Sequence, residues 1–217
     1  MFEQLPPGAG GSVLEVGAGI GTFSARLREA GADELLLVEP EPACVAELER
    51  RFAADPAVTV RAETLPGAPT LIERAGTFDF VLSQNVLEHI ADDAAAMRAM
   101  ARALRPGGRL MALVPAHPRL YGSLDRAYGH ERRYTRDRLL TITTGAGLTV
   151  DRLFAFNALG VVGWWVRGRT GARRLDSLSL RAYEALLALW RPIERRITPP
   201  FGLSLIVHAR RPRADAA

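Results

Sequence analysis

The stretch VLEVGAGIGTFS, residues 13–24, decides the fold. Its start belongs to SVLEV (12–16), an apolar run short enough for a buried strand. The run passes directly into Gly17-Ala18-Gly19-Ile20-Gly21, and a helix is expected from Thr22 to Ala30, ending at Gly31. A strand that enters a helix through a glycine-rich turn presents backbone N–H groups to a nucleotide-like ligand. The glycines permit a sharp turn and a close approach that a β-carbon would block. The spacing differs from the dinucleotide loop G-x-G-x-x-G, because Thr22 stands where its third glycine would be. Eighteen residues beyond Gly21, Glu39 closes the next apolar run. A carboxylate at that place can accept hydrogen bonds from both hydroxyls of a ribose.

Outward from this unit the same alternation repeats. Strands are expected at ELLLVE (34–39), VTVRA (58–62), FDFVLS (78–83), RLMALVP (109–115), LTVDRLFAF (148–156) and LSLIVHARR (203–211). Helices are expected from about Pro42 to Ala53, from Ala91 to Leu104 before the stop Pro106-Gly107-Gly108, and from Asp176 to Ile197. Alternating strands and helices imply an α/β fold with a parallel sheet and crossover helices. No repeat or low-complexity linker divides the chain, so residues 1–217 read as one domain. Its cofactor-binding half is 1–115 and its substrate-facing half 116–217.

Composition narrows the function classes. No run of 18 uncharged apolar residues occurs, so no membrane span is expected. The start MFEQLPPGAGG lacks the pattern of a signal peptide, and the single cysteine, Cys44, permits no internal disulfide; both suit a cytoplasmic protein. All 28 basic residues are arginine, which excludes lysine chemistry. Residues 160–217 carry a net charge of +7, against −3 for the rest, so the C-terminal third could face an anionic substrate, acidic lipid or nucleic acid, or be a solvated surface. Four histidines at 89, 117, 130 and 208 show no structural zinc spacing.

Five segments in order resemble class I S-adenosylmethionine-dependent methyltransferases, of the small bacterial type 11/12-like group. VLEVGAGIGTFS, with Glu15 ahead of the glycines, resembles their cofactor loop, and LLLVEP the segment of the ribose-binding acid. RAETLP resembles the loop where an acid meets the adenine amino group, FDFVLSQNVLEHI the fourth-strand motif beside the methionine moiety, and LRPGGRLMALVPA the entry to strand five. The resemblance implies a Rossmann-like, doubly wound seven-stranded sheet, mostly parallel with an antiparallel last strand. It implies S-adenosyl-L-methionine as cofactor, S-adenosyl-L-homocysteine as product, and cofactor contacts from Glu15, Gly17, Ala18, Gly19, Gly21, Glu39, Pro40, Glu63, Thr64, Gln84, Asn85 and His89. YGSLDRAYGHERRYT and PPFGLSLIVHARR resemble a narrower set of bacterial methyltransferases often found with glycosyltransferase or secondary-metabolite enzymes. Family members carry a helical segment before the loop; here eleven residues precede Ser12, so the C-terminal half supplies the lid or the start is truncated. Glu88 and His89 resemble a divalent-metal site of quinone-pathway relatives, but Asn85 replaces a glutamate there, and no metal is expected.

Methyl transfer needs alignment, exclusion of water and, for a hydroxyl acceptor, removal of a proton. The candidates lie after strand five. Histidine is the side-chain type best suited to a general base near neutrality, which makes His130 the first candidate; Asp125 could orient it, and Tyr134 is a third candidate. His117, Tyr121, Arg132, Arg133 and Trp164 are candidates for contacting substrate, the arginines through a carboxylate or phosphate. Thr135 also reads as a helix N-cap, which would give its neighbours a structural role. Trp164 and Trp165 could wall an apolar pocket, touch a membrane interface or pack in the core.

The expected activity is methylation of a small-molecule acceptor in secondary or cell-envelope metabolism, at oxygen first and at nitrogen or carbon second. The alternatives are a lipid- or sugar-linked acceptor at the membrane surface, and a protein of this fold that transfers no methyl group. Ser83-Gln84-Asn85-Val86 lacks the Asn/Asp-Pro-Pro-aromatic signature for a flipped base, so nucleic acid is not an expected partner. A monomer or homodimer is expected.

Overall fold

The computed structural model describes residues 10–158, 160, 161, 164 and 199–213. Its strands are β1 (Gly11–Val16), β2 (Ala32–Val38), β3 (Val58–Arg61), β4 (Phe78–Gln84), β5 (Leu104–Pro115), β6 (Thr149–Phe156) and β7 (Ser204–Arg210). They form one sheet in the order β3-β2-β1-β4-β5-β7-β6. The first five are parallel to one another, and β7 is antiparallel to both β5 and β6. This is the expected doubly wound sheet with an antiparallel last strand.

Helices α1 (Thr22–Glu29), α2 (Pro42–Phe52), α3 (Pro69–Glu73), α4 (Asp93–Ala103), α5 (Ser123–Ala127) and α6 (Arg136–Gly145) complete the described chain. The central strands read as continuous apolar runs because helices cover both faces. Leu14, Val16, Leu36, Val38 and Val81 point to one layer, against Leu71 of α3, Met97 and Met100 of α4, and Leu139 of α6. Their neighbours Val13, Leu35, Leu37, Phe80 and Leu82 point to the other, against Leu27 of α1 and Leu48 of α2. The strand order reverses between β1 and β4, and the crevice at their carboxyl ends is where such sheets bind ligands.

Two short helices, α3 and α5, were not expected from periodicity, which five residues cannot display. The strand expected at 109–115 begins five residues earlier. Leu104 pairs with Phe78, the register slips at Pro106-Gly107-Gly108, and pairing resumes with Arg109 opposite Phe80. The helix expected between Asp176 and Ile197 lies outside the described residues, as does Trp165. Among the described residues no helix is long and apolar enough to cross a membrane.

One buried polar knot joins α4 to α6. Asp93, 2% exposed, accepts from the Tyr134 hydroxyl at 2.8 Å and from Arg138 Nη2 at 2.7 Å, and Arg132 Nη1 lies 3.3 Å away. Thr135 caps α6 as expected, accepting from Arg138 N at 3.2 Å. Tyr134 is fully buried, and burial pushes its hydroxyl well above the usual phenol range, as do the hydrogen bond to Asp93 and that residue's charge. The structure therefore sets Tyr134 in the core rather than at the reacting atoms. Tyr134→Phe should cost about 1–2 kcal/mol of stability, the worth of a buried hydrogen bond to a charged group. Urea unfolding measures this, and turnover per folded molecule should stay within about threefold.

Candidate active site

The glycine loop is held from two sides. Gly17 N donates to Val38 O at 2.8 Å, tying the loop to the end of β2. Gly17 sits at φ +72°, and a β-carbon there would lie 2.2 Å from Val86 Cγ2, so only glycine fits. Gly19, at φ +54°, has nothing within 4 Å of such a carbon. The loop is thus packed at its root and open at its tip, as a backbone cradle requires.

Glu39 is 7% exposed and bonds to backbone rather than to a cation. Oε2 accepts from Gly19 N at 2.8 Å and Oε1 from Glu41 N at 3.0 Å. Each oxygen keeps a lone pair for a further donor. Glu15 is buried below, with Ser24 Oγ donating to it at 2.6 Å. Burial pushes the Glu15 carboxyl up to about 7, the Ser24 bond pulls it down, and the charge of Glu39 pushes it up again. Glu15 therefore pins the start of α1 to β1, a link that nothing in the sequence pattern announced.

Around this cradle the expected cofactor residues divide. Ala18 is buried, while Pro40, Thr64 and Asn85 are exposed beside the crevice. Asn85 holds a positive φ of 52°. The carboxylate of Glu63 accepts from Thr70 N at 3.1 Å and Thr70 Oγ1 at 2.5 Å, which fixes the first turn of α3. The side-chain amide of Gln84 is buried with both polar atoms unpartnered among the described residues, as a group awaiting a ligand would be.

A second cluster stands after β5. Asp125 is fully buried and receives four donors: His130 Nδ1 at 2.9 Å, Arg133 Nε at 2.7 Å, Gly122 N at 2.9 Å and Trp164 Nε1 at 3.2 Å. Burial alone would raise its carboxyl, but the His130 bond, the Arg133 charge and the other donors hold it near 2. Arg133 is buried, donates also to Ala116 O at 3.0 Å, and stacks 4.7 Å from the Trp164 ring centre. The His130 and His89 rings meet edge to face at 4.8 Å.

Not every expected substrate residue joins this cluster. Arg132 donates to Ile90 O and Ala91 O and leans on Asp93, so it braces the entry to α4. Tyr121 donates to His130 O at 2.7 Å and supports the histidine's backbone. His117 is exposed at φ 61° on the segment leaving β5. His89 Nδ1 faces Gly129 O at 3.2 Å.

Beneath the imidazoles lies Glu88, fully buried, with neither carboxyl oxygen partnered among the described residues. Burial pushes its carboxyl up to about 8, so it is neutral at pH 7. Donor atoms of Glu88, His89 and His130 lie within 4.8 Å of one another. No metal was expected at Glu88 and His89; the structure gathers these two with His130.

Comparisons with known proteins agree with this architecture. A family model described as a methyltransferase domain matches residues 2–153. A ubiquinone biosynthesis O-methyltransferase of Xanthomonas oryzae pv. oryzae is 36% identical over 102 residues, 47% of this chain and 42% of that protein. One of the same name from Bordetella avium is 32% identical over 99 residues, 46% and 40% respectively. The chain thus spans less than half the length of these curated relatives. The crystal structure of an S-adenosylmethionine-dependent methyltransferase from Mesorhizobium loti superposes with a TM-score of 0.69 at 18% identity, covering 97% of this chain and 95% of that one. At that identity the likeness is one of fold.

The buried carboxyls make stability depend on pH. Glu15 and Glu88 keep protons in the folded chain that the unfolded chain releases above about pH 4.5. The carboxyls' contribution to stability therefore falls as pH rises from about 5 to 8, whereas His89 and His208, which burial holds below the usual histidine range, contribute stability that grows as pH rises toward about 6.5. Asp125, held near 2, changes nothing in that window. Above the histidine range, from pH 7 to pH 8, urea midpoints should fall, and Glu88→Gln should flatten the fall, leaving the part due to Glu15. An unchanged slope in that variant would contradict the neutral carboxyl.

Proposed function

The chain belongs to the methyltransferase-domain family, and from that premise we propose that it transfers a methyl group from S-adenosylmethionine to a hydroxyl of a small-molecule acceptor. The observation that carries the hydroxyl is the pair His130–Asp125, set in the crevice after β5. The cofactor supplies a methyl group activated by its sulfonium, and leaves as S-adenosylhomocysteine.

The residues present fit that cofactor. The loop from Gly17 to Gly21 leaves an open backbone face, Glu39 offers remaining lone pairs to ribose hydroxyls, and Gln84 offers an unpartnered buried amide. Glu63, although engaged by Thr70, lies on the loop where the adenine amino group would fall in the family pattern.

The remaining chemistry is proton management and positioning. Asp125 accepts from Nδ1 of His130, which assigns the proton to Nδ1 and leaves Nε2 as the acceptor. Nε2 can then remove the acceptor's hydroxyl proton as the oxygen attacks. The imidazolium so formed is stabilised by Asp125, whose charge is kept by Arg133, Gly122 N and Trp164. Glu88, neutral below the imidazoles, adds no competing negative charge. Names of the curated relatives, ubiquinone biosynthesis O-methyltransferases, support oxygen as the methylated atom.

Two substitutions test this reading. Glu39→Ala should weaken S-adenosylmethionine binding about 10- to 100-fold, the scale of lost charge-assisted hydrogen bonds, by calorimetric titration. His130→Ala should lower turnover about 100-fold or more while cofactor affinity stays within about threefold. A change in turnover below threefold would make His130 a packing residue.

A further inference from the structure

The chain leaves β6 at Asn157, where a positive φ of 64° turns the backbone. Asn157 O accepts from Leu203 N at 2.9 Å and Asn157 Oδ1 from Gly160 N at 3.0 Å, which ties the turn to the segment entering β7. Beyond this turn Trp164 meets Asp125, 39 residues away in sequence. Its indole Nε1 donates to Asp125 Oδ2 at 3.2 Å, and Gly122 N donates to the same oxygen at 2.9 Å. The other oxygen, Oδ1, takes His130 Nδ1 at 2.9 Å and Arg133 Nε at 2.7 Å. The indole ring lies 4.7 Å from Arg133 Cζ, so it also covers the guanidinium of that ion pair.

A carboxylate at Nδ1 of an imidazole favours the doubly protonated ring, because the opposite charge stabilises the cation. A general base must instead meet its substrate with Nε2 free of a proton. Further donors on the carboxylate reconcile these demands. Each takes up part of the negative charge while the bond to Nδ1 stays in place. Arg133 does this on Oδ1 and Gly122 N on Oδ2, both from the segment between β5 and α6. Trp164 is the donor that arrives from beyond β6. Its N–H is neutral, so it draws on the charge of Asp125 without setting a second cation beside the imidazole.

We propose that Trp164 is a positioning residue for the methyl transfer, acting on the His130 imidazole through its hydrogen bond to Asp125 Oδ2. This sets Trp164 behind the base rather than against the acceptor, where the sequence placed it as a candidate. The assignment rests on the reading of His130 as the general base. Among the described residues His130 is faced by Asp125 and, through the shared Oδ1, by Arg133. Glu88 and His89 face it from the single turn Leu87–His89, and the Tyr128 ring lies 6.2 Å away. None of these groups is altered by Trp164→Phe, which keeps an aromatic ring over Arg133 and removes the indole N–H alone.

The test is nitrogen nuclear magnetic resonance of the full chain with its histidines isotopically labelled, in wild type, W164F, W164L and D125N. The His130 signals are assigned by their loss in H130Q. In the wild type the ring proton should sit on Nδ1, bonded to Asp125. In W164F that tautomer should persist, and the pH at which the ring gains its second proton should rise by about 0.5, because Asp125 keeps more of its charge. W164L should show a rise at least as large, and it decides if W164F does not fold; circular dichroism reports folding. D125N should lower the same pH, which shows that the signal senses the carboxylate. An unchanged or lowered titration in the folded Trp164 variants overturns the proposal, as does a His130 signal indifferent to D125N. No acceptor enters this measurement, so its failure leaves the base reading standing. Turnover of His130→Ala within threefold of wild type would instead remove the base reading, and the role of Trp164 with it.

Discussion

The carboxylate of Glu39 spans the two strand ends on which the crevice depends. One oxygen takes the amide of Gly19 at the tip of the glycine loop, and the other takes the amide of Glu41 at the start of α2. Gly17 repeats the tie through the carbonyl of Val38. The loop carries no polar side chain of its own, and these bonds tie it to the end of β2. They work because β1 and β2 are parallel and in register, which brings Val16 level with Val38 and the two turns to the same height. A parallel sheet buried on both faces is therefore more than a scaffold here. Its register brings the backbone of the glycine loop level with the carboxylate of Glu39.

The same sheet carries charge at both of its ends. At the crevice end, Asp125 collects four donors that hold its carboxyl low, while Glu88 has no partner among the described residues and burial pushes its carboxyl up. Environment thus drives two carboxyls of one cluster in opposite directions. At the far end, arginines stand side by side across β5 and β7.

The fold and the meeting of the glycine loop with Glu39 were legible because both arise from local constraints. Three alternating glycines, an apolar run on each side and an acid after the second run leave few alternatives for the backbone. The pair Asp125–His130 was also within reach, five residues apart on one short segment. Contacts closed by the sheet were not. Trp164 reaches Asp125 across 39 residues, and Tyr134 reaches Asp93 across 41. Arg132 and Arg133 look interchangeable in sequence, yet extended backbone sends neighbours to opposite sides. One meets Asp93 and the entry of α4, and the other meets Asp125. Burial, which neutralises Glu88 and makes Tyr134 a core residue, has no signature in a single chain. The pairing of Arg109 with Arg210 likewise required the register of β7, since the two lie about a hundred residues apart.

The central claim is that the loop and Glu39 form a cradle for S-adenosylmethionine rather than for a dinucleotide. Isothermal titration of the purified chain with S-adenosylmethionine, and separately with NAD, tests it most directly. The account predicts saturable binding of S-adenosylmethionine with one site per chain and no heat from NAD. Saturable binding of NAD, with none of S-adenosylmethionine, would contradict it.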